Sequence, residues 1–256
     1  MIQIVNTEKP AIEKLPGGWE PDFSIQLKET TDCNEEMFKR ASVYTNLFSS
    51  EECDDIIKKF MQSPRFENVT VQGIKDVPDD RIGSIRTTAW STKIADEIWE
   101  KKFKFFMQDI ACSTKTPTDW WQGDNERRLW KPVGISPMLR FMKYENGGQH
   151  YAHYDAGHIY KDDKFRTLCS FVMYLTTNEN GGTTRFIEDQ QSDLNEWERK
   201  HEDWPRESRE DEVLFRSKPI KGNVLVFPHR MCHDVEKYFG DTPRIIIRGD
   251  VLFEAI

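Results

Sequence analysis

The chain has 256 residues, of which 36 are basic and 44 acidic, giving a formal net charge of −8. A surface of that charge repels phosphate backbones and anionic membranes, so neither nucleic acid nor a lipid surface is expected as a partner. The five cysteines are scattered and never spaced as CxxC, which argues against a disulfide framework and against a cysteine-rich zinc site.

The N-terminus lacks the basic and apolar regions of a signal peptide, and no apolar run approaches the roughly 20 residues of a membrane span. These features predict an intracellular, cytoplasmic protein with reduced thiols. The length suits one domain, 1–256. We divide it into an extended arm (1–34), a helical support layer (45–134) and a strand-rich part (135–256).

Two amphipathic helices are predicted in the support layer. The first begins at the capping-box sequence Ser49-Ser50-Glu51-Glu52, and its apolar residues within 53–61 share one face. The second begins near Ser91, and apolar residues keep helical spacing through 94–110. Between the helices, residues 69–90 have the β-branched and turn composition of short strands.

From residue 135 onward the pattern is one of short strands separated by turns. Met138–Tyr144 alternates, with Arg140, Met142 and Tyr144 on one face. Gly181-Gly182 is interpreted as a turn. Further strands are predicted at Arg166–Thr177, Thr183–Ile187, Asn223–Phe227 and Arg244–Phe253. Such a series predicts an α+β, mainly β fold of the sandwich, jelly-roll or barrel type, with the two helices covering one face.

Residues 188–212 interrupt the strand pattern with 11 acidic and 4 basic side chains. This segment accounts for nearly all of the excess negative charge, and such a composition cannot form core. It is interpreted as a solvated insertion between two strands. The alternative is a lid over a functional site, because long loops often serve that purpose.

Three of the six histidines lie within residues 150–158. On an extended strand, residues i and i+2 point the same way, so His153 and Asp155 can present an imidazole and a carboxylate to one point. The other two histidines of this segment, His150 and His158, are expected to point elsewhere.

A divalent metal held by His153 and Asp155 needs a third ligand, for which His229 and His233 are both candidates. Two histidines and one carboxylate on one face of an octahedron form the ligand set of non-haem Fe(II) oxygenases. That arrangement leaves positions open for a cosubstrate and dioxygen.

Two arginines on the last predicted strand are candidates for binding a carboxylate. Arg244 and Arg248 are four residues apart and therefore share a face, with Ile245 and Ile247 on the opposite face. Arginine suits this task because its planar fork makes two charge-assisted hydrogen bonds to a carboxylate.

Short motifs occur in a fixed order through residues 138–253. They are Leu139-Arg140-Phe141, Tyr144, Gly147-Gly148, His153-Tyr154-Asp155, Arg166, Tyr174-Leu175, Gly181–Phe186, Pro219, Gly222–Phe227, His233, Gly240 and Arg244. Together they resemble the catalytic core of the prolyl 4-hydroxylase-like branch of the Fe(II)/2-oxoglutarate dioxygenases. The resemblance is close over 130–256 and loose over 45–110. It implies a double-stranded β-helix, which is a distorted, cupin-like jelly roll, with 135–256 as its catalytic core.

The resemblance also implies a role for each matched residue. It makes His153, Asp155 and His233 the iron ligands, and it favours His233 over His229 because of its spacing to a downstream arginine.

For 2-oxoglutarate, the resemblance points to Arg244 with Tyr144 and Tyr174. The spacing from His233 to Arg244 is one residue longer than in many prolyl hydroxylases, so Arg248 stays open as an alternative for the cosubstrate.

The implied activity is oxidation of an unactivated C–H bond with Fe(II), 2-oxoglutarate and dioxygen, and 2-oxoglutarate is decarboxylated to succinate. The outcome would be hydroxylation, desaturation or oxidative cyclisation. We expect a small, anionic, amino-acid-derived substrate, as in natural product biosynthesis, with Arg248, Arg140 and Arg166 as candidate binding residues. Pairing of Arg248 with a core carboxylate such as Asp250 is the alternative.

Three other functions remain as hypotheses at this point. They are a peptidyl-prolyl hydroxylase, a catalytically silent jelly-roll binding module, and a zinc hydrolase that uses His150 and His153. The zinc hypothesis needs a helix to bring both imidazoles together, and Gly147-Gly148 disfavours a helix there.

Overall fold

The computed structural model describes residues 3–4, 21–27, 41–61, 67–68, 81–107, 109–113, 127–155, 157–160, 164–188, 207–229 and 231–256. Much of the predicted arm 1–34 and most of the acidic insertion 188–212 lie outside these residues. The strands are β1 (Gln3–Ile4), β2 (Pro21–Leu27), β3 (Ser42–Tyr44), β4 (Glu67–Asn68), β5 (Arg81–Trp90), β6 (Ile110–Ser113), β7 (Arg127–Ile135), β8 (Met138–His153), β9 (Gly157–Tyr160), β10 (Phe165–Tyr174), β11 (Thr184–Ile187), β12 (Val213–Ser217), β13 (Val224–Pro228), β14 (His233–Val235) and β15 (Arg244–Ala255).

Two helices, α1 (Ser50–Met61) and α2 (Thr92–Lys101), begin where the sequence predicts. At the start of α1 the Ser49 hydroxyl accepts a hydrogen bond from the Glu52 backbone amide at 3.2 Å. In return, the Glu52 carboxylate accepts one from the Ser49 backbone amide at 2.7 Å. This reciprocal pair satisfies two amides that a helix start leaves unbonded. Within the described ranges, no helix is both long and apolar enough to cross a bilayer.

The end of α2 differs from the prediction that helical spacing continues through 94–110. The helix stops at Lys101, Lys102 has a non-helical φ of −131°, and a 3₁₀ turn follows at Phe103–Phe105. The change in direction buries Phe103 fully. The apolar residues beyond it therefore do not extend the helix.

Strand β8 belongs to two sheets. Its first half is hydrogen-bonded to β5 and β15, and its second half pairs with β14 through His150 and His153. One sheet has the order β5-β8-β15-β10-β13-β3, and the other has the order β8-β14-β11-β12. The two antiparallel sheets share this strand and face each other in the double-stranded β-helix, or jelly roll, that was predicted.

Strand alternation sorts the side chains of the larger sheet into two layers. The outer layer, with Leu139, Phe141 and Ile247, forms one core with residues of α1 and α2. The ring of Phe60 on α1, for example, stacks on Phe141 with a centroid distance of 4.8 Å. The helices therefore cover one face of the sheet, as expected.

The inner layer forms a second core between the two sheets. Its members are Met142, Tyr144, Val172, Tyr174, Leu225, Phe227 and Ile246 from the larger sheet, with Phe186 and Val235 from the smaller one. The predicted alternation of β8 is confirmed, because Leu139 and Phe141 lie in the outer core and Met142 and Tyr144 in the inner core. Polar residues of the same inward parity line the interior of the jelly roll.

Candidate active site

The structure brings His153, Asp155 and His233 together inside the jelly roll. His153 ends β8, His233 begins β14, and the two are directly paired across the strands. The Nε2 atom of His153 lies 3.9 Å from Asp155 Oδ1, and that of His233 lies 3.8 Å from Asp155 Oδ2. One donor atom from each residue falls within 4.8 Å of the others. This cluster is the candidate metal centre, and His229 does not belong to it.

Both imidazoles of the cluster are oriented by the backbone. The Nδ1 atom of His153 is 2.7 Å from the Tyr151 carbonyl oxygen, and the Nδ1 atom of His233 is 2.8 Å from that of Met231. A carbonyl oxygen only accepts hydrogen bonds, so Nδ1 carries the proton in both rings. In the neutral form of each ring, the Nε2 atom is then the one that keeps a lone pair, and Nε2 is the atom that faces Asp155 and can bind a metal.

His150 lies closer to the cluster than the sequence predicts. Its ring stacks on that of His153 with a centroid distance of 3.7 Å. The cause is a shift in register, because His233 and Val235 of β14 oppose His153 and His150 of β8. The extra residue on β8 reverses the expected parity. The expectation that His150 points away from His153 was wrong.

Two donors hold the Asp155 carboxylate, one at each oxygen. Arg248 Nη2 is 3.0 Å from Oδ1, and the hydroxyl of Ser170 donates to Oδ2 at 2.5 Å. Burial alone would raise the pKa of Asp155, but the Arg248 guanidinium and the nearby imidazoles outweigh it and hold the pKa well below its usual range. The carboxylate is therefore ionised at neutral pH, as a metal ligand must be.

The charges extend from Asp155 into a larger buried cluster. Arg248 also pairs with Asp250 at 3.1 Å, and Asp250 accepts a hydrogen bond from Arg140 at 3.0 Å. Arg140 Nη2 lies 3.3 Å from His158 Nε2. Burial would raise the pKa of Asp250, but the two arginines lower it to about 2. Thus Arg140 and Arg248 lie together, as their shared parity implies, and the predicted pairing of Arg248 with Asp250 is present.

Arg166 does not join this cluster. Its guanidinium lies over the ring of Trp130 at 5.3 Å, and Trp130 belongs to the outer core beneath the helices. The structure therefore separates Arg166 from Arg140 and Arg248, with which the sequence grouped it. A register irregularity between Thr167 and Cys169 interrupts the parity of β10, and sequence alternation did not anticipate it.

Arg244, Tyr144 and Tyr174, the three predicted cosubstrate residues, lie together in the inner core. The Arg244 guanidinium sits 4.8 Å from the ring of Tyr144 and 5.7 Å from that of Tyr174. Its Nε donates to the Gly182 carbonyl at 2.7 Å, and Nη2 is 3.4 Å from the Thr184 hydroxyl. The side chain is completely buried, and Nη1 has no hydrogen-bond partner among the described residues.

Arg244 is unusual because it has no acidic partner in the described part of the chain. Arg140, Arg185 and Arg248, which are also largely buried, each contact a carboxylate. A buried guanidinium without an anion is costly, since desolvation removes its water. The arrangement of Arg244 is therefore suited to a bound anion, and a carboxylate matches its free Nη1 edge.

Gly182 has a role that its interpretation as a simple turn missed. Its φ is +70°, and a Cβ built there would lie 2.8 Å from Arg244 Cδ. Only glycine combines this backbone conformation with room for the arginine. The position of Gly182 beside a buried arginine depends on pairing across distant segments, so the local sequence contains no signal for it.

Sequence reasoning also missed Ser170, Thr184 and His158. The hydroxyl of Thr184 contacts both Arg244 and Tyr174, and the hydroxyl of Ser170 contacts Asp155. One signal was available for Ser170, because it lies four residues before Tyr174 and so shares its face of β10.

Residues 139–249 match the model of the 2OG-Fe(II) oxygenase superfamily. No curated protein matches the chain.

Solved structures with some similarity include viral collagen prolyl hydroxylase from Paramecium Bursaria Chlorella virus-1, with 16% identity, coverage of 87% of this chain and 98% of that one, and a TM-score of 0.46. A Pseudomonas putida prolyl-4-hydroxylase has 12% identity, coverage of 82% and 91%, and a TM-score of 0.46. HygX from Streptomyces hygroscopicus, with nickel and 2-oxoglutarate bound, has 11% identity, coverage of 86% and 87%, and a TM-score of 0.48.

The two buried histidines beside the charge cluster predict sensitivity to mild acid. Burial lowers the pKa of both His158 and His229 from 6.5 to about 4. In the unfolded chain these histidines bind protons near pH 6.5, whereas in the folded chain they stay neutral until about pH 4. Acid therefore favours the unfolded state between these values, and the free energy of unfolding falls as the pH drops through this window. We expect each histidine to contribute a loss of about 2 kcal/mol between pH 7 and pH 5.

Urea unfolding of the metal-free protein at pH 7, 6 and 5 measures this loss. The variant His158→Gln is expected to lose less stability than the wild type over the same interval. An equal loss in both proteins would contradict the assignment for His158.

Proposed function

We propose that His153, Asp155 and His233 hold Fe(II) and that Arg244 holds 2-oxoglutarate in this chain, whose residues 139–249 match the model of the 2OG-Fe(II) oxygenase superfamily. The protein is an Fe(II)/2-oxoglutarate-dependent dioxygenase. One observation carries the residue assignment, namely that a three-ligand cluster and a buried arginine with no acidic partner among the described residues occupy the same jelly-roll interior.

The donor set suits Fe(II). Two imidazoles, from the end of β8 and the start of β14, and one ionised carboxylate, from the segment after β8, form the two-histidine, one-carboxylate set of non-haem iron oxygenases. The tautomer of each ring is set before a metal arrives, because both Nδ1 atoms bond to backbone carbonyls. Little reorganisation is then required of these side chains on metal binding.

Arg244 suits the distal carboxylate of 2-oxoglutarate. It is buried among Tyr144, Tyr174 and Thr184, and its Nη1 edge is left for an acceptor. Its Nε donates a hydrogen bond to the Gly182 carbonyl, and this bond fixes the orientation of the guanidinium group. We therefore prefer Arg244 to Arg248 for the cosubstrate, since Arg248 already contacts Asp155 and Asp250.

Bound Fe(II), with 2-oxoglutarate and dioxygen, supplies the oxidising power, and succinate and carbon dioxide are the coproducts. The chain supplies the surroundings. The rings of Phe227 and Phe186 lie 4.7 Å and 6.0 Å from that of His233, so apolar surface excludes water beside this ligand. The protein thus orients the reactants and keeps the site dry. We place this chemistry in one domain, 1–256, with 135–256 as its catalytic core.

For the substrate, we propose a small, anionic, amino-acid-derived molecule that undergoes hydroxylation, desaturation or cyclisation. The support for an anionic substrate is the balance between the arginines and the carboxylates beside the metal centre. Once the charge of Asp155 is assigned to the metal, two guanidinium groups, Arg140 and Arg248, share one carboxylate, Asp250. Their side chains are 12% and 13% exposed, so part of this positive surface is accessible. A carboxylate on the substrate would balance it.

The ligand assignment predicts that replacing His233 and replacing His229 have different effects on metal binding. Both side chains are buried histidines near Asp155, but only His233 belongs to the cluster. Because a site with two of three ligands binds weakly, we expect His233→Ala to lose at least about 100-fold in Mn(II) affinity. His229→Ala is the matched control and should stay within about tenfold of the wild type.

Anaerobic titration with Mn(II), followed by the electron paramagnetic resonance of the free ion, measures both affinities. Equal losses in the two variants would overturn the choice of His233. A wild-type protein that is folded but binds no metal would favour a silent binding module.

The cosubstrate assignment predicts a selective effect of Arg244→Met. This change removes the charge that faces the bound carboxylate, so we expect at least a tenfold loss in 2-oxoglutarate affinity of the Mn(II)-loaded protein. Arg166→Met is the matched control, because Arg166 is equally buried but lies against Trp130. Isothermal titration calorimetry separates the two, and a loss in Arg166→Met alone would contradict the assignment.

The substrate proposal is tested by succinate release with a panel of amino-acid derivatives, their methyl esters and proline-containing peptides. We expect the free acids to stimulate turnover more than the esters do. Arg140→Met should raise KM about tenfold or more and leave kcat nearly unchanged, since it removes uniform binding. Arg209→Met, at an exposed arginine, is the control. Stimulation by the peptides alone would favour a peptidyl-prolyl hydroxylase.

A further inference from the structure

Ser170 occupies the centre of the contacts around Asp155. It lies on β10, is completely buried, and faces Asp250 of β15 and Phe227 of β13 across the strands. Its hydroxyl oxygen is 2.5 Å from Asp155 Oδ2, 3.0 Å from His229 Nδ1 and 3.2 Å from Arg248 Nη2. Three polar groups therefore converge on one hydroxyl that has a single proton.

The chemistry of these groups determines where that proton lies. The guanidinium of Arg248 can only donate, and the ionised carboxylate of Asp155 can only accept. The hydroxyl must therefore give its proton to Asp155 and accept from Arg248. Its second lone pair faces His229 Nδ1, which then carries a proton and donates as well.

The hydroxyl of Ser170 consequently has no alternative orientation. Both of its lone pairs are used by donors, so its proton is directed at Asp155 Oδ2. The other oxygen, Oδ1, is held by Arg248 at 3.0 Å. Rotation about the terminal bond of an aspartate is normally soft, and two donors on opposite oxygens remove that freedom.

We propose that Ser170 is a positioning residue for the metal, because it fixes the Asp155 carboxylate in the orientation that the ion needs. This inference rests on the proposed function, which makes Asp155 a ligand. In proteins, groups that orient a metal ligand by hydrogen bonding typically contribute 10–100-fold to metal affinity.

The replacement Ser170→Ala isolates positioning from charge. It changes no charge near the ion, so a change in affinity cannot come from a weaker electrostatic attraction. It leaves Asp155 with its bond to Arg248 and frees the carboxylate to rotate. We expect Ser170→Ala to bind Mn(II) about tenfold more weakly than the wild type.

Two further variants separate positioning from a general effect on folding. Thr167→Val removes another fully buried hydroxyl of the same strand, which accepts a hydrogen bond from the His158 amide and does not contact Asp155. It should bind Mn(II) as the wild type does. Ser170→Thr retains the hydroxyl and should restore affinity to within about threefold of the wild type.

The experiment is a Mn(II) titration of the metal-free 256-residue chain, in which the electron paramagnetic resonance signal of the free ion is followed. Wild-type affinity in Ser170→Ala, or an equal loss in Thr167→Val, would overturn the inference and leave the proposed function standing. A wild-type protein that binds no Mn(II) would overturn the proposed function itself.

Should Ser170→Ala not fold, Ser170→Cys preserves the shape of the side chain and supplies only a weak donor. Mn(II) prefers oxygen ligands to thiols, so the new sulfur does not compensate. The same tenfold loss is expected for this variant, and wild-type affinity would again overturn the inference.

Discussion

The alternation of β8 and β15 is the constraint on which the rest of the structure depends. Each strand places one set of side chains against the helices and the other inside the jelly roll. The outward set is mainly apolar and supplies the core beneath α1 and α2. The inward set includes Arg140, Arg244 and Arg248, so a shift of one residue in either strand would expose the core and bury the site against the helices.

The buried arginines in two parts of the jelly-roll interior have different electrostatic surroundings. Near the candidate metal centre, Asp155 and Asp250 compensate Arg140 and Arg248, and ion pairs link the four. Deeper in the inner core, Arg244 has aromatic rings, a carbonyl and a hydroxyl but no described acidic neighbour. Near the metal centre the charges balance only while Asp155 is counted with the arginines, whereas Arg244 is suited to an anion from outside the chain even before a metal binds.

This difference explains why two arginines on one face of β15 receive different roles. Spacing alone placed Arg244 and Arg248 on the same face and left either of them available for the cosubstrate. Burial and partner choice separate them, because Arg248 already contacts two carboxylates, whereas the fully buried Arg244 contacts none among the described residues and gains most from binding one. Contacts with residues far away in the sequence therefore determine the different roles of Arg244 and Arg248.

Much of the fold could be predicted because its signals are local. The capping box at Ser49, the cap at Ser91 and the alternation of Met138–Tyr144 depend on neighbours within a few residues, and the structure confirms them. Where the prediction failed, a distant contact had overridden the local pattern. The chain leaves α2 at Lys102 and buries Phe103, and irregular register reverses the expected direction of His150 and of Arg166.

The sequence by itself determined which residue types are available and which side of each strand they occupy, since alternation along an extended chain is a property of the backbone. Only the tertiary structure decided which of these residues meet. The pairing of β8 with β14 sets His153 beside His233, the pairing of β10 with β15 sets Ser170 near Arg248 and Asp250, and the turn at Gly182 closes over Arg244. These encounters join segments tens of residues apart, and their energies depend on burial and partner charges that arise only once the two sheets close.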